Sequence, residues 1–322
     1  MKSFQFLTLL SCLIFMSCNS KHNSEKTNIL NDPKPIISQY LTVLGIAQDA
    51  GFPQINCDKS CCKAYYDGKE PKQLVSSLGL IDLVANKKWI FDATPDFVEQ
   101  TQILKSNHLN NGRIIDGIFL THAHIGHYTG LMYLGREALG ANQIPVYTMP
   151  RLKTFLTTNG PWSQLVQLNN ISIHQMSSDS TIKLSNSIKV IPLLVPHRDE
   201  FSETVGYKIS GNSKTALFIP DIDKWHLWNF NIIDEVRKVD YAFIDASFFS
   251  YGELDRDMSE IPHPFITETT TLFEKESDSI KNKIYFIHFN HTNPTIKVSH
   301  HLKDSIQKLG FNFAKQGDNF EL

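Results

Sequence analysis

The chain has 322 residues, of which 41% are hydrophobic and 20% charged, with 31 basic against 33 acidic side chains and a formal net charge of -2. That length fits one large α/β domain or two small ones, and the hydrophobic content suffices for a substantial core. No long basic block appears, which leaves no electrostatic case for nucleic-acid binding. The 13 histidines stand out more, because many end apolar runs, as in LTHAH, LLVPH and YFIHFNH, where strands would deliver them to one rim.

The chain opens on MKSFQFLTLLSCLIFMSC, with Lys2 ahead of an apolar run, Phe4 to Met16, that is short for a transmembrane helix. Small Ser17 before Cys18, and polar residues after it, resemble a bacterial lipoprotein signal over residues 1–17, cleaved before Cys18 and acylated on it. That resemblance implies an exported protein, anchored by lipid to a bacterial membrane on its periplasmic or cell-surface side. Residues 18–39, polar and carrying Pro33 and Pro35, read as a flexible tether, so the globular domain is expected over 40–322. Cys57, Cys61 and Cys62 then crowd into NCDKSCC; three clustered cysteines cannot all pair as disulfides within one chain, whereas thiolates can hold a metal.

From Tyr40 short apolar runs alternate with helix-like segments. YLTVLGI, SLGLIDLVA and KWIFDA read as strands, the last two joined as a hairpin around Asn86 and Lys87. Asp96 to Lys105 reads as a helix capped by Thr94 or Asp96, with Pro95 in its first turn. IIDGIFLT is a buried strand, and GHYTGLMYLGREAL carries helical spacing at Leu131, Leu134 and Leu139. IPVYT, ISIHQM, SIKVIPLLV, VGYKI, TALFIP, YAFIDA and KIYFIH are further strands; ITETTTLFEK and TIKVSHHLKDSIQKLG are late helices. Strands in two blocks with helices between them suggest layered sheets flanked by helices.

The segment 121-THAHIGHYTG-130 places three histidines on a strand-to-helix turn. His122 and His124, two residues apart, can converge on one ion from a loop, and His127 faces a neighbouring position. His197 in VPHRDE, Asp221 in IPDID and His288 in FIHFNHTNP each follow a strand. In this order after HxHxxH, these residues resemble the metallo-β-lactamase-fold hydrolases, from about Leu41 to the end. The resemblance implies an αββα sandwich of two mixed β-sheets flanked by helices. A narrower resemblance joins VLGIAQDAGFPQINC, FDATPDFVEQ, HYTGLMYL and FIHFNHTNP to the pyrroloquinoline quinone biosynthesis protein B family and to the related phosphoribosyl cyclic phosphodiesterases.

Carried over residue by residue, the resemblance implies a first metal position at His122, His124 and His197, a second at His127 and His288, and Asp221 bridging both. Zinc, iron or manganese suits such ligands. A structural zinc would join Cys57, Cys61 and Cys62 to His291, although this chain spaces its cysteines CxxxCC where the relatives have CxCxxC. A further departure is Gly126, where the superfamily pattern has aspartate. Without that acid, two divalent ions, Asp221 and one hydroxide leave a formal charge of about +2 instead of about +1, which favours an anionic substrate. Asp49 in GIAQDAGFP is expected to make up part of the loss; the alternative is a turn residue whose side chain caps its own backbone. His263 in EIPHPF corresponds to a substrate-facing histidine that protonates a leaving group or binds an anion, or else it is a rigid surface-loop residue between prolines. Asp245 is expected to orient a ligand histidine, and Asp92 to fix the loop beside the site.

The expectation is an exported, metal-dependent hydrolase of a small anionic molecule, with metal-bound hydroxide attacking a phosphodiester or another ester or lactone. An iron-dependent oxidative enzyme of cofactor maturation and a metal-binding lipoprotein without catalysis are the alternatives.

Overall fold

The computed structural model describes residues 38–322, so the expected signal segment, the lipidated Cys18 and nearly all of the expected tether lie outside the described residues. The domain's expected start at Tyr40 falls inside the first strand, β1 (Gln39–Gly45). β1 is followed by β2 (Ser77–Asp82), β3 (Lys87–Phe91), β4 (Gly117–Phe119), β5 (Ile144–Thr148) and β6 (Ile171–Gln175). The second run is β7 (Ile182–Lys183), β8 (Lys189–Leu194), β9 (Val205–Ser210), β10 (Thr215–Ile219), β11 (Tyr241–Asp245) and β12 (Ile284–Ile287), closed by β13 (Asn312–Phe313) and β14 (Asn319–Glu321). They form two seven-stranded sheets, ordered β14-β1-β2-β3-β4-β5-β6 and β13-β12-β11-β10-β9-β8-β7. Each sheet is half antiparallel and half parallel. β14, β1, β2 and β3 pair antiparallel and β3 to β6 parallel, while β7 to β10 pair antiparallel and β10 to β13 parallel.

The hairpin between β2 and β3 turns at Asn86, whose φ of 54° suits asparagine's tolerance of the left-handed region. The parallel strands need crossovers, supplied between β5 and β6 by helices Pro150–Thr158 and Trp162–Gln167. The main core lies between the sheets, where Leu41, Leu78, Phe91 and Phe119 meet Tyr207, Phe218 and Phe243. Tyr147, Phe119, Phe91 and Tyr207 form a chain of aromatic contacts with centroids 4.3, 5.1 and 5.2 Å apart. Such pairs add stabilisation beyond the area they bury. A second cluster, including Ile81, Ile90, Leu104, Ile118, Leu131 and Leu152, joins the first sheet to its outer helices.

Several local expectations are corrected. The helix expected over 96–105 is α-helical only at Phe97–Ile103 and continues as a π-helical turn, Leu104–His108. Asp96 does not cap it, because its carboxylate accepts from Val75 N at 2.9 Å and Lys72 Nζ at 2.7 Å; Thr94 Oγ1 accepts from Asp96 N instead. The helix expected through Leu139 is one α turn, Ile125–Tyr128, followed by a tighter 3-10 segment, Thr129–Leu134. Here Gly130 lies so close to Thr94 O that a Cβ would come within 2.2 Å of it, and Leu139 is left exposed. The last expected helix divides into a 3-10 turn, Pro294–Ile296, and helix His301–Lys308, which the His300 side chain caps at Leu302 N. No described helix is long and apolar enough to cross a membrane.

Candidate metal centre

The site lies on one rim, at the carboxyl ends of strands from both sheets. β4 runs into Thr121 and the three-histidine loop, β8 into His197, β10 into Asp221 and β12 into His288, while β1 leads to Asp49, β3 to Asp92, and β11 ends on Asp245. Tyr207 OH donates to Leu120 O and thereby ties the start of the histidine loop to the second sheet.

His122, His124, His197 and Asp221 turn one atom each toward a common point. His122 Nε2 lies 2.9 Å from His124 Nδ1 and 3.3 Å from Asp221 Oδ2; His197 Nε2 lies 3.2 Å from each of the same two atoms. Ligands bound tetrahedrally at about 2.05 Å from zinc stand about 3.3 Å apart, so this spacing fits one ion. The outer nitrogens are anchored. His122 Nδ1 bonds Thr121 Oγ1 at 2.9 Å, His197 Nδ1 bonds Asp223 Oδ1 at 2.9 Å, and His124 Nε2 bonds Glu200 Oε2 at 3.1 Å. With the outer nitrogen donating, each inner nitrogen presents a lone pair, as a metal requires.

A second group follows the same construction. His127 Nδ1 donates to Asp92 Oδ2 at 2.7 Å and His288 Nδ1 to Ser247 Oγ at 3.0 Å. Their inner Nε2 atoms are buried and make no hydrogen bond, and neither does Asp49 Oδ1, which stands 3.4 Å from His127 Nε2 and 4.0 Å from His288 Nε2. His127 Nε2 is also 3.8 Å from Asp221 Oδ2, so Asp221 reaches both groups. Buried polar atoms are almost always satisfied. Three orphaned acceptors facing one another fit a cation.

Two further buried acids are already saturated by donors. Asp92 accepts from Thr121 N at 2.8 Å, from Thr121 Oγ1 and from His127, and at φ 69° it is held in a conformation that L side chains rarely adopt. Asp245 accepts from Ser247 N and Oγ, Ile222 N and His263 Nδ1. Asp92 therefore fixes the histidine loop, whereas Asp245 holds His263 instead of one of the expected ligand histidines and reaches His288 only through Ser247 Oγ. His263 is not a surface residue: it is buried, with Nδ1 2.7 Å from Asp245 Oδ2 and 3.3 Å from Asp221 Oδ1.

The charges are mutually supporting. Burial opposes ionisation of Asp221, but His197 and His263 outweigh it and hold its carboxyl well below the usual range. Burial opposes protonation of His197, yet Asp221 and Asp223 push it up to about 10. For Asp49 burial again opposes the charge, and His127, then His288, win and pull its carboxyl down. Such a site holds protons that a metal ion would displace.

The cysteine cluster is assembled as well. Cys57 Sγ lies 3.5 Å from Cys61 Sγ, and His291 Nδ1 lies 3.7 Å from Cys61 Sγ and 3.4 Å from Cys62 Sγ. Edges of about 3.5–3.8 Å are those of a tetrahedral zinc site with sulfur and nitrogen donors. Cys61 and Cys62 lie in the first turn of the helix Ser60–Tyr66, which leaves the adjacent pair CC, with Cys57 and His291, within reach of one ion despite the altered spacing. Burial, which disfavours thiolate, pushes the Cys62 thiol up to about 12, so a bound cation would have to displace that proton.

Sequence reasoning passed over Glu200, Asp223, Thr121 and Ser247, which anchor the outer nitrogens. Asp223 and Glu200 lie two and three residues beyond Asp221 and His197, and that nearness was the available signal.

A mixed two-sheet sandwich with outer helices and this rim of histidines and acids is the metallo-β-lactamase arrangement, and the chain belongs to the Beta-lactamase superfamily, whose domain matches residues 88–289. It is similar to Coenzyme PQQ synthesis protein B of Acinetobacter baylyi, 23% identical over 304 residues that cover 86% of this chain and 98% of the relative. Zinc-bound PqqB from Methylobacterium extorquens has the same fold, with a TM-score of 0.73 at 19% identity over 88% of this chain and 100% of that one. A diphosphatase from the PhnP family gives 0.62 at 23% identity, covering 88% and 97%.

Proposed function

We propose that the domain is a metal-dependent hydrolase of a small phosphodiester or another ester or lactone. The observation that carries this reading is the pair of adjoining donor groups, in which every outer histidine nitrogen is anchored and the inner atoms converge. His122, His124 and His197 would hold one divalent ion, His127 and His288 another, with Asp221 between them. When bound, such ions lower the pKa of a water and polarise the scissile bond. The chain's own part is to keep the lone pairs inward through Thr121, Asp223, Glu200, Asp92 and Ser247. His263, fixed at Nδ1 by Asp245, keeps Nε2 for exchanging a proton with the leaving oxygen. A cavity of about 160 Å³ lined by Gln48, Asp49, Ala50, Gln54, Asn290 and His291 adjoins the second group and offers amides for substrate. A preference for a phosphorylated substrate takes support from the diphosphatase neighbour.

Likeness to Coenzyme PQQ synthesis protein B favours a second reading, an iron-dependent oxidative enzyme of cofactor maturation. Metal analysis coupled to hydrolysis of bis-p-nitrophenyl phosphate, a lactone and a β-lactam separates the two. Hydrolysis abolished by His124→Ala supports the first reading; a single iron with oxygen uptake and no hydrolysis overturns it in favour of the second. The lipoprotein-like start places this activity, in our proposal, outside the cytoplasm on a lipid anchor; an unprocessed, unacylated Cys18 in the mass of the mature chain would refute that placement.

A further inference from the structure

We infer that Asp49, from the turn after β1, is the carboxylate donor of the second metal position and occupies the space that a side chain at residue 126 would need. This deepens the metal-centre reading given above and rests on it. A Cβ built on Gly126 would lie 2.4 Å from Asp49 Cα, 2.5 Å from Asp49 Oδ1 and 3.0 Å from Asp49 Cβ. Heavy atoms do not approach so closely, so a side chain at 126 and the turn at 49 exclude each other. Gly126 is required here by close approach.

The Asp49 carboxylate is aimed by backbone. Gly51 N bonds Gln48 O at 2.9 Å to close the turn, Gln48 N bonds Phe289 O at 2.8 Å, and Phe289 N bonds Ile46 O at 2.8 Å. The turn is therefore stitched to the residue that follows His288. Its Oδ1 takes no backbone N–H, so it does not cap its own turn, and it is buried among the inner nitrogens of His127 and His288. The turn after β1 thus supplies an acid beside the position where the histidine loop has none. The formal charge of the loaded site returns to about +1, and the stronger pull on anions that Gly126 alone implied is cancelled.

The test is metal binding by the full-length chain, stripped of metal and titrated with zinc against a chromogenic chelator. The wild type is expected to take up two ions at the histidine site besides the ion held by the thiolates. Asp49→Asn should weaken the second histidine-site ion by roughly 10–100-fold or more and leave the other two. Gly126→Ala adds no donor, yet should weaken the same ion by driving Asp49 away. Because the two changes act through one carboxylate, the double variant should bind no worse than the weaker single variant. Melting of the metal-free variants shows whether each is folded; if Gly126→Ala is not, Asp49→Asn alone decides. Wild-type affinities in Asp49→Asn, or additive losses in the double variant, overturn the inference while the two-ion reading stands. A wild type that takes up no second ion overturns both.

Discussion

Asp92→Asn keeps the shape of a fully buried side chain and removes one negative charge. An asparagine oxygen can still accept from Thr121 N, now at 2.8 Å, but its amide nitrogen would then face His127 Nδ1, now 2.7 Å from the second oxygen. Two donors cannot share that contact. A hydrogen bond to a charged group contributes about 1.5–3 kcal/mol, and here it also holds the proton on Nδ1 so that Nε2 points its lone pair inward. Losing it should move the proton toward Nε2, the atom a metal needs. At about 1.4 kcal/mol per tenfold, the expected loss in second-ion affinity is roughly 10–100-fold, in line with the loss of a histidine's anchoring partner. The assay is zinc competition on both proteins, with the His127 tautomer followed by nitrogen NMR. Affinity within twofold of wild type, with the proton still on Nδ1, would refute the reasoning.

Two further outcomes concern the rest of the domain. Gly130→Ala would bring a Cβ within 2.2 Å of Thr94 O and 2.6 Å of Phe97 Cβ, so denaturant unfolding should show a loss of about 1–3 kcal/mol; a change under about 0.5 kcal/mol would contradict the packing described. Burial, and then neighbouring Lys315, pull the Lys303 ammonium from 10.5 down to about 8. Between those values the unfolded chain binds more protons than the folded one, so stability should rise with pH across that window, and Lys303→Met should flatten the rise; an unchanged slope in a pH series of melts counts against it.

Much of the site was legible in the sequence because its residues sit where apolar runs end. Strand periodicity is local, and the ends of such runs mark the rim that carries His122, His124, His127, His197, Asp221 and His288. The cysteine cluster was legible for the same reason, since its thiols are near neighbours in the chain. The short strands β7, β13 and β14 were not, since two or three residues carry no period and pair only because an edge is there to receive them. The burial of His263 was likewise invisible: flanking prolines describe a loop's stiffness, not what packs over it. Glu200 and Ser247 acquire their roles from distances across the fold, where ordinary polar loop residues meet an imidazole nitrogen. The same holds for Gly126. Its lack of an acid is written in the chain, but that the turn carrying Asp49 fills the space beside it follows from the backbone ties between β1's continuation and Phe289, which only the packing of the two sheets brings together.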